Sequence, residues 1–409
     1  MSFSRSPVST VMLSIAALSV SLGFVSCEKK AAEGMDRQKL FTLSYGRLED
    51  EIDLFDLDDS SMGPDSQIFM QDGMFYVTNS GPGKVIQLTS FGDLLAVYYN
   101  PERNPVPSFA QSGENNPAAT RKAIAHPFNH PVYLSVDERK QLYVVDRVPE
   151  ERYEFDSDEQ VMLRDVVLRF GSDGKYLDYI GQEGPGGTPF PPIDGVYTTS
   201  RNELVVVAKS QSGIRVFWFD GEGNLIYRIP VLFRNLPSPY AGDVEAMPSI
   251  EKILPDPNGK LIYLKIDYFK HVIDSETGSD AGISFDRSCL YPLSVSDGAY
   301  GDYVELPSYS GTDRDTLGTQ DFKKPFEFLG VTAGGWVFLS TPIQGGYGLQ
   351  MMDMKSRRIY SRTLSVHDDE LMYNALSLSR DGILSALLAG EFDASVVWWR
   401  TDSILGEIR

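Results

Sequence analysis

Two cysteines, Cys27 and Cys289, are all this 409-residue chain contains. Two thiols cannot build a disulfide framework, and Cys27 is accounted for below, which leaves Cys289 without a partner. In the apolar run Cys289-Leu290-Tyr291 a lone cysteine reads as a small buried hydrophobe rather than a nucleophile. Histidine is scarce too, at four residues. Positive charge is short: 37 Lys and Arg face 57 Asp and Glu, for a formal net charge of −20. Residues 1–26 carry only Arg5, so the remainder stands at −21. Such a body repels phosphate backbones, and no Lys/Arg stripe offsets the repulsion, which excludes nucleic acid as a partner. The acidity reads as a soluble, non-sticky surface. No G-x-S-x-G elbow and no H-E-x-x-H metal motif occurs. Gly181 to Pro192 is rich in glycine but is no phosphate loop, because the Lys-Ser/Thr ending is missing and its prolines remove amide donors. It reads as a connection between repeats.

What is present suits a β-rich core. Hydrophobic residues make up 42%, with 21 Tyr and 22 Phe, and such aromatics favour pleated, half-buried surfaces. Gly and Pro, at 36 and 24, supply many turns. A chain this long buries a sizeable core without staples.

A single long apolar run spans Val11 to Val25, after Arg5. Its length and serines suit a signal-peptide core rather than a permanent membrane span. It leads into Phe24-Val25-Ser26-Cys27 and then the polar Glu28-Lys29-Lys30. That junction resembles a bacterial lipobox, with small Ser26 before the cysteine and Phe24 where leucine is usual. The resemblance implies cleavage after residue 26 and diacylglycerol on the Cys27 thiol. Two or three acyl chains hold a protein stably at a membrane, whereas one chain binds marginally. Residues 1–26 are thus expected to be a lipoprotein signal peptide and 27–38 a lipidated polar tether. The rest, 39–409, is expected to be one β-propeller.

The propeller expectation rests on a repeat. A tight turn followed by an apolar strand recurs six times. It appears at Gln71-Asp72-Gly73, Asp137 to Lys140, Ser200-Arg201-Asn202, Asp256 to Gly259, Ala333-Gly334-Gly335 and Arg380-Asp381-Gly382. A second turn follows about twenty residues later in most copies, near Gly92, Gly221, Lys355 and Asp402. Strand, turn, strand, loop, strand, turn, strand is a four-stranded meander, and meanders repeated radially make a propeller. Two copies are stretched, by Val148 to Gln160 and by Asp274 to Asp286, and such insertions fall in loops on one propeller face. The ring must also close. The run Leu40 to Tyr45 has no hairpin of its own, so it is expected to pair with the last copy and latch the ring.

Leu142-Tyr143-Val144-Val145-Asp146, followed by Val167-Leu168-Arg169-Phe170-Gly171-Ser172-Asp173-Gly174, resembles NHL repeats. With the lipobox, the chain is similar to spirochaetal envelope lipoproteins bearing an NHL-like propeller. The resemblance implies six blades and says little about chemistry, since propellers host enzymes and scaffolds alike.

No catalytic, cofactor-binding or metal residues are assigned from the sequence. His126 and His130 lie four apart, but flanking prolines argue against a shared helix face, so they read as a lead-in loop to the second copy. The acidic runs at Asp53 to Asp59 and Glu150 to Glu159 lack the calcium-loop spacing and read as solvated loops. The leading expectation is a non-catalytic binding or scaffold propeller, held at a membrane by its lipid and meeting an envelope protein partner. Its contact face would carry the loops 101–127 and 147–162, with Tyr153 and Phe155 as aromatic anchors. The alternative is a lactonase-like hydrolase or lyase with a central metal. Convergent Asp, Asn, Glu or His side chains at the channel would favour it, and apolar plugging would favour the scaffold.

Overall fold

Most strands of this protein are apolar on both faces, as in Leu204 to Val207, and each therefore needs cover from two sides. A ring of sheets supplies it. The computed structural model describes residues 32–55, 66–110, 121–242, 245–273, 278–315 and 318–408. Cys27, Asp56, Asp58 and Asp59 lie outside them.

Six antiparallel four-stranded meanders follow one another along the chain, and in blade 1 Lys122–Ala125, within the expected loop 101–127, adds a parallel fifth strand beside Leu94–Tyr99. Blade 1 runs Ile68–Gln71, Met74–Asn79, Lys84–Thr89 and Leu94–Tyr99 from its innermost strand outwards. Blade 2 runs Leu134–Val136, Leu142–Arg147, Asp165–Phe170 and Tyr176–Gly181. Blade 3 is Ile193–Thr198, Leu204–Lys209, Gly213–Phe219 and Leu225–Leu232. Blade 4 is Met247–Pro255, Leu261–Ile273, Asp280–Ser294 and Val304–Leu306. Blade 5 is Glu327–Val331, Trp336–Ile343, Gly346–Asp353 and Ile359–Ser365. Blade 6 takes Tyr373–Leu378, Leu384–Ala389 and Asp393–Trp399 from the end of the chain, and its fourth strand from the beginning, Gln38–Ser44.

That last pairing closes the ring as the unpartnered run at Leu40 suggests. Phe41 lies opposite Val396 and Ser44 opposite Asp393. Phe41 then packs edge-on against Phe75 of blade 1, with ring centroids 5.7 Å apart. Gly92, in the outer turn of blade 1, has φ +86°, and a Cβ there would lie 2.7 Å from Phe41. The site therefore needs glycine twice over.

Packing follows strand alternation. Val205 and Val207 face blade 4, while Leu204, Val206 and Ala208 face blade 2. Six apolar clusters result, one in each interface between neighbouring blades. The turn residues behave as their chemistry requires. Gly73, Lys140, Asn202, Gly335 and Gly382 all take positive φ in the inner hairpins.

Three details depart from the sequence reading. Within the expected tether, Glu33–Met35 pairs in parallel with Ile359–Ser365 of blade 5. Pairing along an open sheet edge needs backbone groups rather than an apolar pattern, so composition does not reveal it. Asp402 begins no outer turn; Thr401–Ile408 is a helix that sets Leu405 against the core between blades 5 and 6. The outer turn is unnecessary there because the N-terminal strand occupies its place. Finally, the stretch near Asp274 to Asp286 is mostly no loop. The two middle strands of blade 4 run on together as a long hairpin, with Ile273 opposite Asp280.

Candidate functional site

The innermost strands line the ring axis, and the two ends of this channel are built differently. At the end carrying the inner hairpin turns, all six blades border a cavity of about 130 Å³. Phe69, Tyr197, Leu254, Leu329 and Leu378 supply apolar walls. Arg380, from the turn of blade 6, reaches over it. Its guanidinium donates to the Glu138 carboxylate of blade 2 and to the Thr198 carbonyl of blade 3, the latter at 3.2 Å. One cation thus ties opposite sides of the ring across the mouth.

Further along, between blades 3, 4 and 5, charged groups answer one another. A bulge in the first strand of blade 4 falls at Glu251, and bulges re-aim side chains. The Glu251 carboxylate accepts the Phe328 amide of blade 5. Lys265 donates to both oxygens of Asp267, at 2.7 and 2.9 Å, and lies 3.6 Å from Glu251. Ser288 also donates to Asp267. Lys209 pairs with Asp194 at 2.5 Å. Burial pushes the Glu251 carboxyl up in pKa, and Lys265 and Lys252 pull it back. Burial pushes Lys252 down, against the pull of Glu251, Asp194 and Glu327. Ammonium groups therefore balance the carboxylates here. Among the described residues no three His, Cys, Asp or Glu side chains are grouped to hold a metal.

The histidines of the lead-in loop do not share a site. His126 sits in an aromatic nest of Phe128, Phe170 and Tyr176, and burial pushes its pKa down to about 4, so it is neutral at pH 7. His130 donates its backbone N–H to Asp146. His271 pairs with Asp280 at 2.9 Å, far along the blade 4 hairpin. Cys289 is buried and its thiol is pushed up to about 12, mainly by that burial, which leaves it unreactive.

The face opposite the inner turns collects what the repeat does not require. In a meander, the connection between the two middle strands and the connection to the next blade emerge at the same end. The charged insert of blade 2 lies there and folds into its own hairpin, Glu154–Asp156 against Val161–Leu163. Glu159 fastens it to blade 3, accepting from Ser212 at 2.8 Å and pairing with Arg215. Arg152 lies over the Tyr179 ring and donates to its hydroxyl at 3.1 Å. Tyr153 is half-buried against the core between blades 1 and 2, so it anchors the insert, whereas Phe155 is 57% exposed. The tip of the blade 4 hairpin shows Val272, Ile273 and Ile283 to solvent. A further hairpin, Ser308–Asp315 with Gly318–Pro325, leads from blade 4 to blade 5 and exposes Phe322. Sequence reasoning missed this third hairpin, because its arms are mostly polar and carry no apolar alternation. Arg380 and the Glu251–Lys265–Asp267 group were missed as well, because their partners come from distant copies or from a bulge.

No family model matches this chain, and no curated protein does. Solved structures similar to it include a gluconolactonase from Xanthomonas campestris, at 13% identity over 90% of this chain and 96% of that one, with a TM-score of 0.40. The β-propeller domain of the Trilobed protease from Pyrococcus furiosus is similar at 7% identity, covering 83% and 95%, with a TM-score of 0.41. Regucalcin, a calcium-binding protein from Agrobacterium tumefaciens, is similar at 10% identity, covering 90% and 95%, with a TM-score of 0.40.

Proposed function

We propose that this protein is an envelope lipoprotein, anchored through Cys27, whose six-bladed propeller serves as a non-catalytic binding or scaffold module. The observation that carries the binding reading is the gathering of three hairpins on one face, with Phe155, Ile273, Ile283 and Phe322 exposed there. A ring does not need these hairpins to close, and scattered aromatics on a rigid support suit a protein partner. The lactonase-like reading asks for converging metal ligands on the axis. The lysine-matched carboxylates and the Arg380 crossbar give it little support. The apolar run ending at Ser26-Cys27 supports the anchor, and Leu142 to Asp146 supports an NHL-type repeat.

Cys27→Ser is expected to abolish labelling by a palmitate analogue and to release the protein into the soluble fraction. Labelling and membrane retention that persist would remove the anchor. Replacing 149–160 by a short Gly-Ser turn tests the face. Melting should shift by no more than a few degrees, because surface loops cost little stability, while chemical cross-links to envelope protein fall. Cross-links that survive with an intact fold would move the contact surface elsewhere.

A further inference from the structure

The insert of blade 2 is flanked by a mirrored pair of dipeptides, Asp146-Arg147 before it and Arg164-Asp165 after it. Strand register sets Asp165 opposite Arg147 and Val166 opposite Asp146, so all four charges meet at the base of the insert. They line a cavity of about 100 Å³ between the inner strands of blades 2 and 3, with Tyr133 and His130 in its wall. Asp146 is occupied: its two oxygens accept the backbone N–H groups of Asn129 and His130. Asp165 is half-occupied. Its Oδ2 accepts the Ile193 amide at 2.8 Å. Its Oδ1 is buried and has no hydrogen-bond partner, and Asp165 is only 7% exposed. The Nε atoms of Arg147 and Arg164 stand 3.9 and 3.8 Å from Oδ1, too far for a hydrogen bond. Arg164 Nε is itself buried and without a hydrogen-bond partner. The backbone holds this arrangement fixed, since Asp165 and Phe190 exchange N–H to carbonyl bonds at 3.2 and 2.7 Å.

A buried acceptor and a buried donor left open side by side each cost of order 1–3 kcal/mol unless something bridges them. The walls carry two carboxylates and two guanidinium groups, so the charges of these four side chains cancel, and both arginines lie within ion-pair distance of Asp165 Oδ1 without a hydrogen bond to it. A net anion would meet Asp165 and a net cation would meet the arginines. A neutral molecule with separated charges satisfies both. A cavity of about 100 Å³ favours a compact molecule. The geometry points to a binding site for a small zwitterion, an α-amino acid no larger than serine, with its ammonium on Asp165 Oδ1 and its carboxylate on Arg164 and Arg147. The site is independent of whatever the hairpin-bearing face contacts.

The test is calorimetric titration of the full-length protein with glycine, L-serine, L-phenylalanine, acetate and methylammonium. Glycine and serine are expected to bind at millimolar concentration or below. Acetate, methylammonium and phenylalanine are each expected to bind at least about tenfold more weakly than glycine. Arg164→Gln, at a partly exposed position, and Asp165→Asn, which keeps an acceptor for Ile193, should each weaken glycine by at least about tenfold. Should Asp165→Asn fail to fold, Arg164→Gln and the half-ligands decide alone. No heat from glycine or serine, leaving a site filled by water, overturns the proposal. Glycine binding that Arg164→Gln leaves unchanged overturns it too, as does acetate binding as tightly as glycine.

Discussion

Asp146 shows how one buried side chain sets a pH dependence. Burial raises its carboxyl from the ordinary 3.8 to about 6, although backbone N–H groups from His130 and Asn129 oppose the rise. The folded state therefore holds a proton on this group at pH values where the unfolded chain has released it. Stability from this group is present below about pH 4 and is lost as pH rises towards 6, by roughly 3 kcal/mol in all. Asp146→Asn removes the titration. Urea unfolding of both proteins between about pH 4 and pH 7 should show wild type losing stability relative to the variant across that window, then running parallel to it. A constant difference would mean that Asp146 titrates normally. None of this is legible in sequence, where Asp146 merely ends the motif Leu-Tyr-Val-Val-Asp. Its partners are backbone groups of Asn129 and His130, and only the folded loop aims them.

At the scale of elements, the N-terminal strand is the part of the ring most exposed to test. Gln38–Ser44 buries Phe41 and Leu43 and covers the edge of Asp393–Trp399, whereas Glu33–Met35 adds three mostly exposed residues to blade 5. Starting the chain at residue 37 should lower the melting temperature by no more than a few degrees. Starting it at residue 47 should lower it by roughly 10 °C, since two large side chains leave the core and an edge opens. Scanning calorimetry distinguishes the two, and equal melting would refute the latch. The latch was readable because an apolar strand without a hairpin has to find a partner. The blade 4 hairpin was read as a loop because Asp274 to Asp286 contains glycines and charges, although exposed hairpin arms need no apolar alternation.

For the whole molecule, the repeat of turns made the six-bladed ring legible, because five of the six blades impose the same positive-φ requirement at the inner hairpin, and blade 4 makes its turn with Asp256 to Gly259 instead. The site was less legible. Glu138 and Arg380 are 242 residues apart, and Arg147 meets Asp165 only because an insert folds out between them. Closure of the ring brings such pairs together, and no local pattern marks them. The face that bears the three hairpins follows from topology alone, and the proposed partner contact lies on this face. Photo-cross-linking in the native envelope tests it most directly. A photoreactive residue would replace Phe155, Ile273 or Phe322 on the hairpin face, and Phe91 or Ile359 at the opposite turns. Protein adducts are expected from the first three positions and none from the other two. Adducts from Phe91 and Ile359 alone, or equally from both faces, would contradict it.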